Sequence, residues 1–132
     1  HSSRDAEIRL SSAQEMYLIK AESALLSGSV ADAVTNINAV RTLAGVDPIT
    51  AADATEGWTM LKRERGIELW LEARRLGDMR RWKATSAPGA YHVYETTNWE
   101  GTAYAPAYLS FPISQGEMDT NPNIPLGDGR PF

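Results

Sequence analysis

Residues 12–45 read SAQEMYLIKAESALLSGSVADAVTNINAVRTLAG, and this stretch decides the fold. Ser12 stands three residues before Glu15, the spacing of a capping box whose side chains satisfy free amides at a helix start. Tyr17, Leu18, Ala21, Ala24 and Leu25 recur at helical spacing, and Gly28 offers the left-handed residue that ends a helix. Ser29 opens a second helix whose apolar face is Val30, Ala33, Val34, Ile37, Val40 and Ala44, closed by Gly45. The pattern predicts a tight antiparallel hairpin with the length of one tetratricopeptide unit, and Ala21, Ala24 and Ala33 permit close helix contact. No second copy of the pattern follows. A lone repeat cannot cover both of its faces, so the hairpin is expected to need neighbours, upstream in the same polypeptide or on another chain.

After an Asp47-Pro48 turn, Asp53 or Thr55 can cap a long helix expected over residues 56–82. In helical projection Met60, Ile67 and Leu71 share a face with Glu64, Glu68 and Arg75, while Leu69 and Trp70 point elsewhere. Apolar residues on most sides predict a helix surrounded by protein, with Trp58, Trp70 and Trp82 buried. The charges on that apolar face must then be paired, because an unpaired buried charge is strongly destabilising. Glu64, Glu68, Arg75 and Asp78 are therefore assigned to a structural ion-pair network. From residue 84 to 132 proline and glycine become frequent, and the segment reads as an irregular, aromatic-rich tail. Its rings are Tyr91, Tyr94, Trp99, Tyr104, Tyr108, Phe111 and Phe132, with short β-favouring runs at 92–94 and 109–113. The expected fold is mainly α.

Composition excludes several functions. The 132 residues carry a formal net charge of −4, which disfavours a nucleic-acid binder. Eight of the thirteen Lys and Arg residues fall between Lys62 and Lys83 with Trp70 and Trp82 among them, but acidic residues share the stretch, as on a solvated or paired helix face. There is no cysteine, hence no disulfide, thiolate nucleophile or Cys-based zinc site. No apolar run approaches a membrane span, and an export signal or lipid-accepting cysteine is expected outside these residues.

Glu64 and Glu68, one helical turn apart, have the separation of a retaining glycosidase pair. A general acid needs a raised pKa, however, and Arg63, Arg65 and Arg75 nearby favour the charged carboxylate, so no catalytic residue is assigned. His92 is the only internal histidine and cannot build a catalytic or metal site alone. Asp119 and Asp128 lack the spacing of a calcium loop. Neither a metal nor a cofactor is expected. Sugars stack their apolar C–H faces on flat rings, which makes Tyr91, Tyr94, Trp99 and Tyr104 the candidate ligand contacts, against the alternative that each ring packs the tail onto the helices. Trp99 leads, since the polar, glycine-bounded run 96–101 reads as an exposed loop.

Four blocks, in order, resemble the SusD/RagB family. Residues 15–22, EMYLIKAE, look like its Glu-x-Tyr-Leu-Ile-x-Ala-Glu helix, and Ile37-Asn38-Ala39-Val40-Arg41 with Ala44-Gly45 is similar to its Ile-Asn-x-Val-Arg followed by Ala-Gly. Glu64-Arg65-Gly66-Ile67-Glu68-Leu69, Glu72-Ala73-Arg74-Arg75 and Asp78-Met79-Arg80-Arg81-Trp82 resemble its Glu-Arg-x-x-Glu-Leu, Glu-Gly-x-Arg and Asp-Leu-Arg-Arg-Trp run. Phe111-Pro112-Ile113-Ser114, Glu117 and Asn121-Pro122-Asn123 resemble its closing signature. Ala73, Met79 and Ser114 depart from the usual glycine, leucine and proline. The resemblance implies the C-terminal part of a larger α-helical protein with several tetratricopeptide-like hairpins, lipid-anchored at the outer-membrane cell surface. It further implies no catalysis, a glycan or peptide ligand, and docking on a SusC-like TonB-dependent transporter. A helical-repeat scaffold for protein partners is the alternative.

Overall fold

The structure, a computed structural model, describes residues 10–97, 100–103 and 120, with the backbone alone at Val93 and Tyr94. Helix α1 spans Ala13–Leu26, and the Ser12 hydroxyl oxygen accepts the Glu15 amide at 3.1 Å as its cap. Helix α2 spans Val30–Leu43. Both helices end the same way: Gly28 and Gly45 adopt positive φ, and the next residue donates its amide five residues back, Ser29 to Ala24 and Val46 to Arg41. The resulting hairpin buries Leu18, Ala21 and Leu25 of α1 against Ala33, Ile37 and Val40 of α2.

Helix α3, Ala54–Glu68, adds Trp58 and Leu61 to that core. Asp53 caps it by accepting the Glu56 amide at 2.9 Å, and the Glu56 carboxylate accepts the Ala52 amide in return at 2.7 Å. The incoming link is fixed by Asn38, whose amide group donates to the Ile49 carbonyl and accepts the Ile49 amide, both at 2.9 Å.

The long helix expected over 56–82 is two helices. Beyond Glu68 the chain turns through residues 69–74 before α4, Arg75–Ala84. Leu71 (φ 64°) and Ala73 (φ 57°) occupy the left-handed region, which costs a side-chain-bearing residue about 1–2 kcal/mol. The compensation lies in what the reversal brings together. Arg65 and Asp78 are thirteen positions apart and would stand roughly 20 Å apart on an unbroken helix. Folded back, Arg65 donates Nε and Nη2 to the two Asp78 oxygens, each at 2.8 Å, and both side chains are buried. The break also changes which apolar side chains face inward. Leu69 is buried, whereas Ile67 and Leu71 are exposed and Trp70, expected in the core, is 74% exposed. Trp58 and Trp82 are buried.

The run at 92–94, read as β-favouring, enters a single turn of helix, α5, Val93–Thr96. An isolated antiparallel bridge, Thr97 with Ala103, follows. The fold is mainly helical, and the 109–113 run lies outside the described residues.

Charges are built into this core as a ladder joining three helices. Glu22 of α1 accepts Arg81 Nε at 2.8 Å, Arg81 Nη2 at 2.9 Å and Trp82 Nε1 at 3.0 Å. Arg81 Nη2 also reaches Asp78, 2.9 Å away, and Asp78 in turn holds Arg65 of α3. Hydrogen bonding to Glu22, followed by that to Asp78, raises the Arg81 pKa above the ordinary arginine value against the opposing effect of burial. Removing Glu22 leaves the buried indole N–H of Trp82 without an acceptor, while Arg81, half exposed, keeps Asp78 and water. Glu22→Ala is therefore expected to lower unfolding free energy by about 1–3 kcal/mol in urea titration; a loss below about 0.5 kcal/mol contradicts the ladder's structural weight.

Lys62 is a further buried charge. It is 1% exposed, and its ammonium donates to the Ala87 and Gly89 carbonyls at 3.1 and 2.9 Å. Burial, and secondarily the Arg75 charge, lower its pKa from 10.5. A lowered folded pKa means the native state releases this proton first, so the group's contribution to stability grows as pH rises toward 10.5. Tyr91, whose pKa is raised from 10.0 chiefly by burial, acts in the opposite sense above pH 10. NMR titration of Lys62 should give a midpoint below 10.5, and a midpoint at or above it refutes the assignment.

Candidate functional site

Among the described residues, one place gathers charged groups and another gathers aromatic rings with cations. The first is a groove of about 550 Å³ between α1 and α4, floored by the Glu22, Arg81, Asp78 and Arg65 ladder and rimmed by Ile19 and Leu26. Glu15 and Arg74 stand at one end, 3.4 Å apart, and Arg74 Nη2 donates to the Leu10 carbonyl at 2.8 Å. Among the described residues no aromatic ring lines the groove, and these residues offer a sugar no stacking platform. Its carboxylates Glu22 and Asp78 are taken up by arginines. Arg65 Nη1, Arg74 Nε and Glu15 Oε2 are buried there without hydrogen-bond partners among the described residues.

The second place is where the segment after α4 crosses α3. Tyr91 is half-buried, its ring centroid 6.1 Å from that of Trp82 at a tilt of 42°. Lys62 Nζ stands 4.1 Å from the Tyr91 centroid and 5.8 Å from that of Trp82. Arg75 also stands over Trp82, 5.2 Å from its centroid, and forms a two-pronged ion pair with Glu95. The His92 amide, which donates to Glu95 at 3.1 Å, ties the turn of α5 to the same carboxylate.

Among the candidate ligand contacts, Tyr91 sits in this cluster with one ring face committed to Lys62. Tyr94 lies in α5, where only its backbone is described, and Trp99 and Tyr104 lie outside the described residues. The four charged residues assigned to one network occupy separate arrangements. Glu64 is buried and pairs with Arg41 of α2, Asp78 with Arg65 and Arg81, and Arg75 with Glu95. Glu68 is half-buried and also engaged. Glu64 thus points its carboxylate at the Arg41 guanidinium. Lys62, Glu22, Arg81 and Glu95 escape a reading of the sequence by spacing, since their partners lie 20 to 60 positions away. Among the described residues no group of three or more His, Asp or Glu side chains could hold a metal ion, and no helix is long and apolar enough to cross a membrane.

Comparison with known proteins gives one finding. No curated protein and no solved structure matches the chain. A family model, described as the SusD family, matches residues 1–125, taking in the hairpin, the α3–α4 reversal with its ion-pair ladder, and most of the tail. Members of that family are nutrient-binding proteins that generally lack catalytic activity, and the chain belongs to the SusD family.

Proposed function

We propose that this protein captures an oligosaccharide at the cell surface and passes it, chemically unchanged, to a SusC-like TonB-dependent transporter in the outer membrane. The observation that carries the reading is the family match over residues 1–125. Lipid anchoring to the outer membrane is part of the same proposal, as is membership of these helices in a larger SusD-like domain. Exposed Met16, Ile19 and Leu26 on α1, together with Trp70 and Leu71 at the α3–α4 reversal, support further helical structure packing on both places. Four of the described carboxylates, Glu22, Glu64, Asp78 and Glu95, are each held by an arginine, which favours binding without catalysis. Ligand contacts within these residues are assigned to the aromatic tail, Trp99 first, then Tyr94 and Tyr104; the packing of Tyr91 on Trp82 favours a supporting role for that ring. The alternative, a tetratricopeptide-like scaffold for a protein partner, rests on the exposed Trp70 and Leu71.

Calorimetric titration with maltoheptaose, a xyloglucan oligosaccharide and a mannan oligosaccharide separates these readings. Saturable binding of at least one glycan is expected, without release of new reducing ends. Trp99→Ala should weaken it tenfold or more with little change in Tm, whereas Trp70→Ala should leave affinity unchanged. Absence of binding across the panel, or reducing-end release that disappears in Glu64→Gln, overturns the proposal.

A further inference from the structure

Lys62 combines full burial with an unusual set of partners. Among the described residues no carboxylate lies within ion-pair distance of its ammonium. A buried cation is tolerated only when something replaces its water, and here that replacement is the Ala87 carbonyl, the Gly89 carbonyl and the faces of Tyr91 and Trp82. Three of those four groups belong to one short piece of chain. The same piece is seated directly on α3: Ala90 donates its amide to Thr59 Oγ1 at 2.9 Å, and Gly89, at φ +87°, lies so close that a β-carbon would stand 2.6 Å from the Thr59 nitrogen. Farther along, Glu95 is held by Arg75, whose Nη1 donates to the Lys62 carbonyl at 3.0 Å.

Apolar packing of residues 87–92 is confined to Ala87 and Tyr91, both at the edge of the core. Pro88, Ala90 and His92 are exposed, and Ala87, Gly89 and Tyr91 are only half-buried. Segments that bury little and hang on a few polar contacts open at a lower free energy than the domain as a whole. The segment also leads straight into α5 and Thr97, so its seating sets where Thr97 stands and hence its bridge to Ala103.

We propose that residues 87–95 form a strap clasped by the Lys62 ammonium, which opens and closes independently of the helical core and thereby positions Thr97 and its bridge to Ala103. The charged and titratable groups facing the clasp are Arg75 from α4 and Tyr91 and Glu95 from the strap itself. This inference does not depend on what the protein binds.

Amide hydrogen exchange followed residue by residue by NMR tests it on the 132-residue chain. The strap reporters are the amides of Ala87, bonded to the Trp82 carbonyl, and Ala90; the core reporter is Ile37 in α2. Lys62→Met keeps an apolar stem of similar length while removing the charge, and Gly89→Ala disturbs the seat without touching a core side chain. In each variant Ala90 is expected to exchange at least tenfold faster, with Ile37 changed by less than about twofold. Unchanged Ala90 protection in both variants overturns the proposal. So does equal acceleration of Ala90 and Ile37 in both, which would make the strap part of the global unfolding unit.

Discussion

The two-pronged ion pair between Arg65 and Asp78 is the contact that ties α4 to the helices before it. It exists only because the chain reverses between Glu68 and Arg75, and that reversal holds two side-chain-bearing residues, Leu71 and Ala73, in left-handed conformations. Once α4 lies beside α3, Asp78 can share its second partner, Arg81, with Glu22 of α1, and Trp82 enters the core with its indole N–H satisfied by the same glutamate. One buried aspartate thus connects the break to the hairpin.

Much of the hairpin is written in local signals. Ser12 with Glu15, and Gly28 and Gly45 at the two stops, are read by neighbours three to five residues away, which is the range over which spacing arguments work. The α3–α4 reversal has no such signal. Residues 69–74 contain neither glycine nor proline, and a regular helical projection carried straight through them places Ile67 and Leu71 inside and leaves Trp70 on a buried flank. The tertiary pairing of Arg65 with Asp78 overrides local preference there, and the inside–outside pattern shifts with it. Resemblance to the SusD/RagB family marks the same stretch as special through its Glu-Arg and Arg-Arg-Trp blocks, without showing that the chain turns between them.

The candidate site was legible only in part for the same reason. Charged residues on an apolar face announce that partners must exist, but those partners are supplied by other helices: Arg41 for Glu64, Glu95 for Arg75. Lys62 reads as one basic residue among many in its stretch. Its place in the core emerges only when the chain after α4 folds over it and supplies carbonyls and a ring. The described residues therefore divide into a core that spends its charges on holding helices together and a lightly buried strap that delivers the chain toward the aromatic tail.

A double-mutant cycle on Arg65 and Asp78 tests the central claim most directly, using Arg65→Met, Asp78→Leu and the combined variant in urea unfolding. The account predicts a coupling of about 2 kcal/mol or more, with the double variant more stable than the sum of the single losses implies. Coupling below about 0.5 kcal/mol would mean that the two residues act independently, and that something other than their pairing holds α4 against α3.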